Sequence, residues 1–481
     1  MVRNSKEFIE GLDDDRLVYL NDRKVKVVGE PVFEGSVKGM AGYFDWQTRF
    51  ADDCLAENPD AGCVANASLI VPRSMEDIKT RHRAFDRFAR YSYGMLGRTP
   101  DYVNTTLAGF VARSDSFEVD GDKKYAQNVI NFHKEVAQKD LSLTHAIVNA
   151  TIDKQHNDIS GINKDLTPRV VRRTKDSIIV RGSKILATLA PFSDECFVYP
   201  SAPLPADTPK EYAIAFSIPM NTKGLITLCR DHTGIRGSMA DYPFSSRFDE
   251  QDAFLIFDDV EIPLDRVFVD GSVEAYNSVP KNGWMSNILQ QTTIRAAVKL
   301  EFAYDLCLRM AKILNSERRP EVQAMLGELR TYANLTRGCI KAAEDGAHEQ
   351  GNGAFLLNQA PVRALKNMMP TWMLRANEII TILGSHNLLC GPNAEAFNDP
   401  ELGAMFERYL PGSNGISAQE RAKVFRTAWD FSGSALGARV ALYERYYLTS
   451  QHSNFMLEAT MSRFERKEDT LEDLFNEFAR G

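Results

Sequence analysis

The stretch Arg169-Val170-Val171-Arg172-Arg173-Thr174-Lys175-Asp176-Ser177-Ile178-Ile179-Val180 decides how this chain is organised. Its β-branched residues gather on both sides of a charged Lys175-Asp176 turn, the pattern of two strands rather than of a helix. Further strands are expected over residues 195–199, 212–218, 224–229 and 253–257, separated by Pro, Gly and Asp. The region from about 168 to 269 therefore reads as a compact antiparallel β domain of about 100 residues.

Working outward, the flanking regions carry a different period. Residues 5–140 are mainly helical in pattern. Ile78, His82, Phe85, Phe88 and Ala89 recur at three- and four-residue spacing over 75–93, an amphipathic stripe, and 128–138 continues in that style. After Gly271 the chain returns to helices, expected over 286–315, 320–350, 357–385 and 417–448. At ~1.5 Å per residue each would reach about 45 Å, the proportions of a bundle. Breaks fall at Gly351-Asn352-Gly353, Gly391-Pro392 and Pro411-Gly412. The tail over 463–480 reads as a charged amphipathic helix. No internal repeat or low-complexity tract is present. The boundaries expected are 1–145 for an N-terminal mainly helical domain, 146–272 for the β domain, and 273–481 for the bundle and tail.

At 481 residues the chain is long enough for two or three domains. Its 44% hydrophobic and 25% charged content is that of a globular enzyme. Fifty-seven basic against 65 acidic residues leave a net charge of −8, which argues against a nucleic acid as partner. The first residues include Asp13, Asp14 and Asp15 and lack the apolar core of a secretory leader. Apolar runs are far too short to span a bilayer, so no membrane association is expected. Seven scattered cysteines, none in a C-x-x-C pair, fit reduced thiols and leave no zinc site in view. A cytoplasmic location is expected.

The chemistry is concentrated in Gly94-Met95-Leu96-Gly97-Arg98-Thr99-Pro100-Asp101-Tyr102-Val103-Asn104. With Leu143-Thr144-His145-Ala146 and Phe257-Asp258-Asp259-Val260-Glu261-Ile262-Pro263, it resembles the oxygenase component of 4-hydroxyphenylacetate 3-monooxygenase and its relatives that hydroxylate chlorophenols and nitrophenols. The resemblance runs essentially end to end. It takes in Arg181-Gly182, Pro243-Phe244-Ser245-Ser246-Arg247 and Leu442-Tyr443-Glu444-Arg445. The Gly-Arg-x-Pro-Asp-Tyr run is fairly specific to this family; the Phe-Asp-Asp-Val-x-Ile-Pro run is shared more widely and supports the fold. The order helical domain, β domain, long four-helix bundle is that of the acyl-CoA dehydrogenase-like α+β fold, which alone would not settle a function.

The resemblance implies a monooxygenase that uses FAD as FADH2, with O2 as co-substrate. It would hydroxylate a phenol ortho to its hydroxyl through a flavin C4a-hydroperoxide, with a separate NAD(P)H:flavin reductase as partner and a homotetramer as assembly. A phenol attacks an electrophilic oxygen better as its hydroxyl loses proton character, which a fixed cation and a neutral imidazole would promote. Arg98 stays charged and offers several donors, and His145 can take or share a proton near neutral pH. Tyr102 lies four residues after Arg98, so a helical run would set both on one face, with Pro100 between them. Taken singly, an arginine is most often an ion-pair partner, a histidine a satisfied core residue and a tyrosine packing. In the family the matching residues surround the phenolic hydroxyl, and those roles carry to Arg98, Tyr102 and His145.

Flavin contacts are less legible. No G-x-G-x-x-G follows a strand, so nothing suggests a nicotinamide site. The resemblance places flavin contacts at Thr188, at Thr151 and Lys154, and at Tyr447 and Thr449 within 446–450. Two of these segments depart from the family. Asn149-Ala150-Thr151-Ile152-Asp153-Lys154 stands where relatives have Asn-Pro-x-x-x-Arg, and Leu448-Thr449-Ser450-Gln451 where they have Gly-Asp-Pro. At the substrate-binding Ser-Thr pair that meets the arylacetate carboxylate, this chain has Ser201-Ala202, so one hydroxyl donor is gone. Three other readings compete. An acyl-CoA dehydrogenase-like oxidoreductase needs a carboxylate base over the flavin, and no Glu stands out for it. A 4-hydroxybutyryl-CoA dehydratase needs cysteines for an iron–sulfur cluster, and none lies in 93–97 or 290–301. A non-catalytic flavin-binding protein would release hydrogen peroxide without turning over a phenol.

Overall fold

The Lys175-Asp176 turn closes a hairpin between the strands Arg169–Arg173 and Ser177–Thr188, with the Ser177 amide donating to Thr174 Oγ1 at 2.9 Å. This computed structural model describes residues 2–150, 152, 163–200, 202–465 and 469–478. The hairpin forms one side of a six-stranded sheet. Beside it lie Asp252–Pro263, then Leu225–Cys229, Leu17–Leu20 and Arg23–Val25. A second sheet orders Val267–Asp270, Ile214–Pro219, Glu195–Val198 and Leu143–His145.

Most pairings are antiparallel, as expected, but two are parallel. Leu17–Leu20 runs parallel to Leu225–Cys229, and Leu143–His145 parallel to Glu195–Val198. Both extra strands arrive from the N-terminal region by long crossovers, the connection that parallel pairing requires. At three and four residues they are too short to show a period of two. Asp252–Pro263 outruns the expected 253–257 because it continues past a register shift between Phe257 and Val260.

Three long helices agree with their patterns: Trp284–Ile313, Pro320–Asp345 and Gln359–Gly384. The helix expected over 417–448 is instead two, Ala418–Ser432 and Ala435–Tyr446. Ser434 starts the second by accepting the Gly437 amide at 3.0 Å, the ordinary way a serine caps a helix. A β-carbon at Gly433 would lie 2.5 Å from the Trp429 ring, so glycine permits the break. The break re-aims the second helix, which then presents Arg439, Tyr443 and Glu444 to the middle of the molecule. Among the described residues no helix is long and apolar enough to cross a membrane.

Candidate active site

The loop between the helices Met75–Ser92 and Pro100–Ala112 carries the cation of the site. It begins with two left-handed residues, Tyr93 at φ 53° and Gly94 at φ 76°. A β-carbon at Gly94 would meet Cβ of Lys299 at 2.6 Å and the Arg295 carbonyl at 2.8 Å, so glycine lets the loop lie on the Trp284–Ile313 helix. The Gly97 and Arg98 amides then both donate to Glu250 Oε1, at 2.7 and 2.5 Å. Pro100 is the first residue of the next helix, where its missing N–H costs nothing. Arg98 thus lies outside that helix, and it reaches Tyr102 by folding back from the loop rather than along one helical face.

Arg98 is 7% exposed. Its guanidinium carbon lies 4.0 Å from the centre of the Tyr102 ring, 5.0 Å from Tyr443 and 5.6 Å from Tyr447. Nη1 donates to the Tyr443 hydroxyl at 2.6 Å and to the Gly97 carbonyl at 3.2 Å. Among the described residues no carboxylate forms an ion pair with it. Burial works against the charge, but Tyr102, Tyr443 and Glu250 outweigh burial and hold the guanidinium above its ordinary basicity.

His145 ends the strand Leu143–His145, opposite Phe197 in register. Its ring centre is 5.4 Å from that of Tyr102 and 6.3 Å from that of Tyr199, and Tyr199 is 6.0 Å from Trp284. Burial, and then the Arg98 charge, push its pKa well below 6.5, so the imidazole is neutral at neutral pH. Its Nδ1 makes no hydrogen bond among the described residues, whereas the buried Tyr199 hydroxyl faces Thr106 and Trp284 and the Tyr447 hydroxyl faces Arg295. Buried polar atoms are ordinarily paired. An unpaired imidazole nitrogen beside a buried cation fits a planar polar group such as a phenol or a flavin ring, which brings donors and acceptors of its own.

Thr188 is buried. Its hydroxyl donates to Asp252 Oδ1 at 2.8 Å, leaving lone pairs free to accept, and its carbonyl takes the Thr144 hydroxyl at 2.8 Å, next to His145. Tyr447 stacks on Tyr443 with centroids 4.4 Å apart. Thr449 is exposed and left-handed, at φ 67°. Ala202 is exposed. Thr151, Lys154 and Ser201 lie outside the described residues.

Sequence reasoning assigned no role to Tyr199, Trp284, Tyr443, Glu250, or the buried ion pairs of Glu444 with Arg295 (2.8 and 2.9 Å) and Lys299 (2.9 Å). Burial alone would raise the Glu444 carboxyl; the two cations draw it down to about 2. A signal for this group existed. Arg295 and Lys299 stand four apart in the otherwise apolar run 294–300, and such charges need a buried partner.

Residues 4–269 match the family described as 4-hydroxyphenylacetate 3-hydroxylase N terminal, and 276–476 match its C-terminal counterpart. The chain is 32% identical over 452 residues to the 4-hydroxyphenylacetate 3-monooxygenase oxygenase component of Thermus thermophilus, covering 93% of this chain and 92% of that one. It is 30% identical to the 4-nitrophenol 2-monooxygenase oxygenase component of a Rhodococcus species, over 92% and 85% of the two chains. A solved structure of the 4-hydroxyphenylacetate 3-monooxygenase oxygenase component, complexed with FAD and 4-hydroxyphenylacetate, superposes with a TM-score of 0.91 at 30% identity, covering 99% of this chain and 98% of that one. The fold and the site together define an FAD-dependent aromatic monooxygenase with the acyl-CoA dehydrogenase-like fold. Within that class, the chain belongs to the 4-hydroxyphenylacetate 3-hydroxylase family.

Proposed function

We propose that this chain is the oxygenase half of a two-component system that hydroxylates a substituted phenol ortho to its hydroxyl. One observation carries the reading: a buried, charged Arg98 with no carboxylate paired to it among the described residues, beside a neutral His145. A phenol oxygen entering this cluster would meet a cation that stabilises the phenolate and an imidazole able to take its proton. Loss of that proton enriches the ortho carbon in electrons, and the Tyr102 ring under Arg98 keeps the guanidinium in place. Reduced FAD, once bound with O2, supplies the electrophilic oxygen. Thr188 and Tyr447 are the residues proposed to hold it, with Thr449, Thr151 and Lys154 as further flavin contacts.

The substituent end of the phenol would meet Ser201 and Ala202. One hydroxyl donor there, instead of two, favours a phenol other than the arylacetate. With no nicotinamide fingerprint in the sequence, FADH2 would come from a separate NAD(P)H:flavin reductase in the cytoplasm. Exposed apolar residues along the C-terminal helices, among them Phe455, Phe464, Phe475 and Phe478, support a homotetramer built through the bundle; a monomer in dilute sedimentation runs would contradict it.

The test supplies purified protein with FADH2 and a panel of phenols and reads products by mass spectrometry. A catechol product, with almost no oxygen consumed from NADH and FAD until a flavin reductase is added, is the expected result. Direct NADH oxidation by this chain, or hydrogen peroxide with every phenol and no product, would overturn the reading.

A further inference from the structure

The run Asp249-Glu250-Gln251-Asp252 holds none of the roles assigned above, yet it sits between them. Its backbone is strained: Gln251 has φ 23°, and Leu189, whose amide donates to the Glu250 carbonyl at 2.8 Å, has φ 66°. Non-glycine residues persist in such conformations where their surroundings hold them firmly. The holding is shared by Arg230, whose guanidinium grips Asp249 and Asp252, and by Arg439, on the helix that starts after the Gly433 break. Arg439 Nη1 donates to Glu250 Oε2. Its Nε and Nη2 donate to Asp252 Oδ2 and Oδ1, at 2.9 and 2.6 Å.

Each carboxylate has a second task. Glu250 Oε1 takes the Gly97 and Arg98 amides, while Asp252 Oδ1 takes the Thr188 hydroxyl at 2.8 Å. One guanidinium therefore spans from the backbone of the phenol-binding arginine to the side chain of the flavin-binding threonine. Four residues on, one helical turn away, Tyr443 meets the Arg98 guanidinium itself. A single helix face so fixes both the backbone and the head group of Arg98.

We propose that Arg439 is a positioning residue that sets the phenol-binding Arg98 and the flavin-binding Thr188 in one register, so that filling the flavin side tightens the phenol side. This rests on the roles proposed above for Arg98 and Thr188. Arginine is required because its planar fork addresses two carboxylates at once, which a lysine ammonium cannot reproduce. An arginine serving stability alone would gain as much from carboxylates with no second partner in the site.

Hydrogen–deuterium exchange on the full chain tests this without needing turnover. In the parent, anaerobic FADH2 should slow exchange at the Gly97 and Arg98 amides. Arg439→Lys should exchange about tenfold faster at both amides and lose most of the protection by FADH2, while FADH2 affinity falls about tenfold, the scale of one charge-assisted hydrogen bond. Asp252→Asn should also speed exchange at Gly97 and Arg98, although Asp252 touches neither. Unchanged amides in Asp252→Asn, or an Arg439→Lys protein in which FADH2 still protects them fully, would overturn the proposal. Should Arg439→Lys fail to fold, the Asp252→Asn result decides alone. The outcome stays separate from the functional reading: a parent that turns over no phenol defeats that reading while the Asp252→Asn exchange still reports on the coupling.

Discussion

Two buried arginines flank the stacked Tyr443 and Tyr447, and they are held in opposite ways. The guanidinium carbon of Arg295 lies 5.4 Å from each ring centre, and that of Arg98 lies 5.0 and 5.6 Å away. Arg295 is matched: Glu444 receives it through both carboxylate oxygens, and Lys299 joins the pair. Among the described residues Arg98 has no such partner and rests on three tyrosine rings, one hydroxyl and one carbonyl. The same side chain is structural where its counter-charge is built in. It is chemical where the counter-charge is left to an incoming ligand, here a phenolate.

Removing the unmatched cation should have the largest effect. Arg98→Ala and His145→Ala should lower hydroxylated product per FADH2 by about 10²–10⁴-fold, the usual range for a positioned acid–base group. FADH2 uptake and oxygen consumption should continue, with hydrogen peroxide released instead of product. Product yield and peroxide, measured together, check this. If Arg98 were structural like Arg295, stability and flavin uptake would fall together and the product-to-peroxide ratio would hold.

The matched arginine should respond in the complementary way. Glu444→Gln leaves two buried cations without an anion and should cost about 3–5 kcal/mol of stability, read by denaturant unfolding. Any protein that remains folded should keep most of its product per FADH2. Acid should reproduce the effect gradually. The Glu444 carboxyl is held at about 2 against an ordinary 4.5, so its contribution is complete above 4.5 and is lost as pH falls toward 2.

The two halves of this comparison were not equally readable in the sequence. Arg98, Tyr102 and His145 lie in short runs that resemble the family's motifs, from which their roles carry, and the structure brings all three together. Arg295, Lys299 and Glu444 are buried charges on two helices 149 and 145 residues apart, and no local pattern says which carboxylate meets which cation. The long helices and the hairpin at Lys175-Asp176 followed from periodicity. The strands Leu17–Leu20 and Leu143–His145 did not, because so few residues show no alternation and their partners come from far along the chain. The expected single helix over 417–448 missed its break because Gly433 is tolerated in a helix by propensity alone. Its consequence appears only where Ser434 recaps the chain.

A smaller effect should come from pH. His145 is held neutral by burial and by Arg98, with its pKa well below 6.5. Lowering pH from 8 to 6.5 should therefore leave hydroxylation unaffected through this residue, and an acid limb should appear only below 6.5. The sign follows from the neutral form being the proton acceptor: protonating it removes the acceptor and sets a second cation beside Arg98. Product per FADH2 against pH, with His145→Ala as the control lacking that limb, checks the assignment. A limb centred above 6.5 would contradict it.

The smallest effects should separate the two tyrosines that touch Arg98. Tyr102 offers the guanidinium its ring face at 4.0 Å, and phenylalanine keeps a face of similar quadrupole, worth about 0.5–2 kcal/mol to a cation. Tyr102→Phe should therefore lose only what its hydroxyl gives the substrate, less than about tenfold in coupled product, a span of about 1.4 kcal/mol. Tyr443 instead takes a hydrogen bond from Arg98 Nη1 at 2.6 Å. In Tyr443→Phe Nη1 keeps only the longer bond to the Gly97 carbonyl at 3.2 Å, and the guanidinium is freer to turn away from the phenol. The loss should be about tenfold or somewhat more, and it should appear in product per FADH2 rather than in FADH2 affinity. Equal losses in the two variants would mean that ring stacking, and not the hydrogen bond, orients Arg98. A larger loss in Tyr102→Phe would place the Tyr102 hydroxyl directly on the reacting phenol.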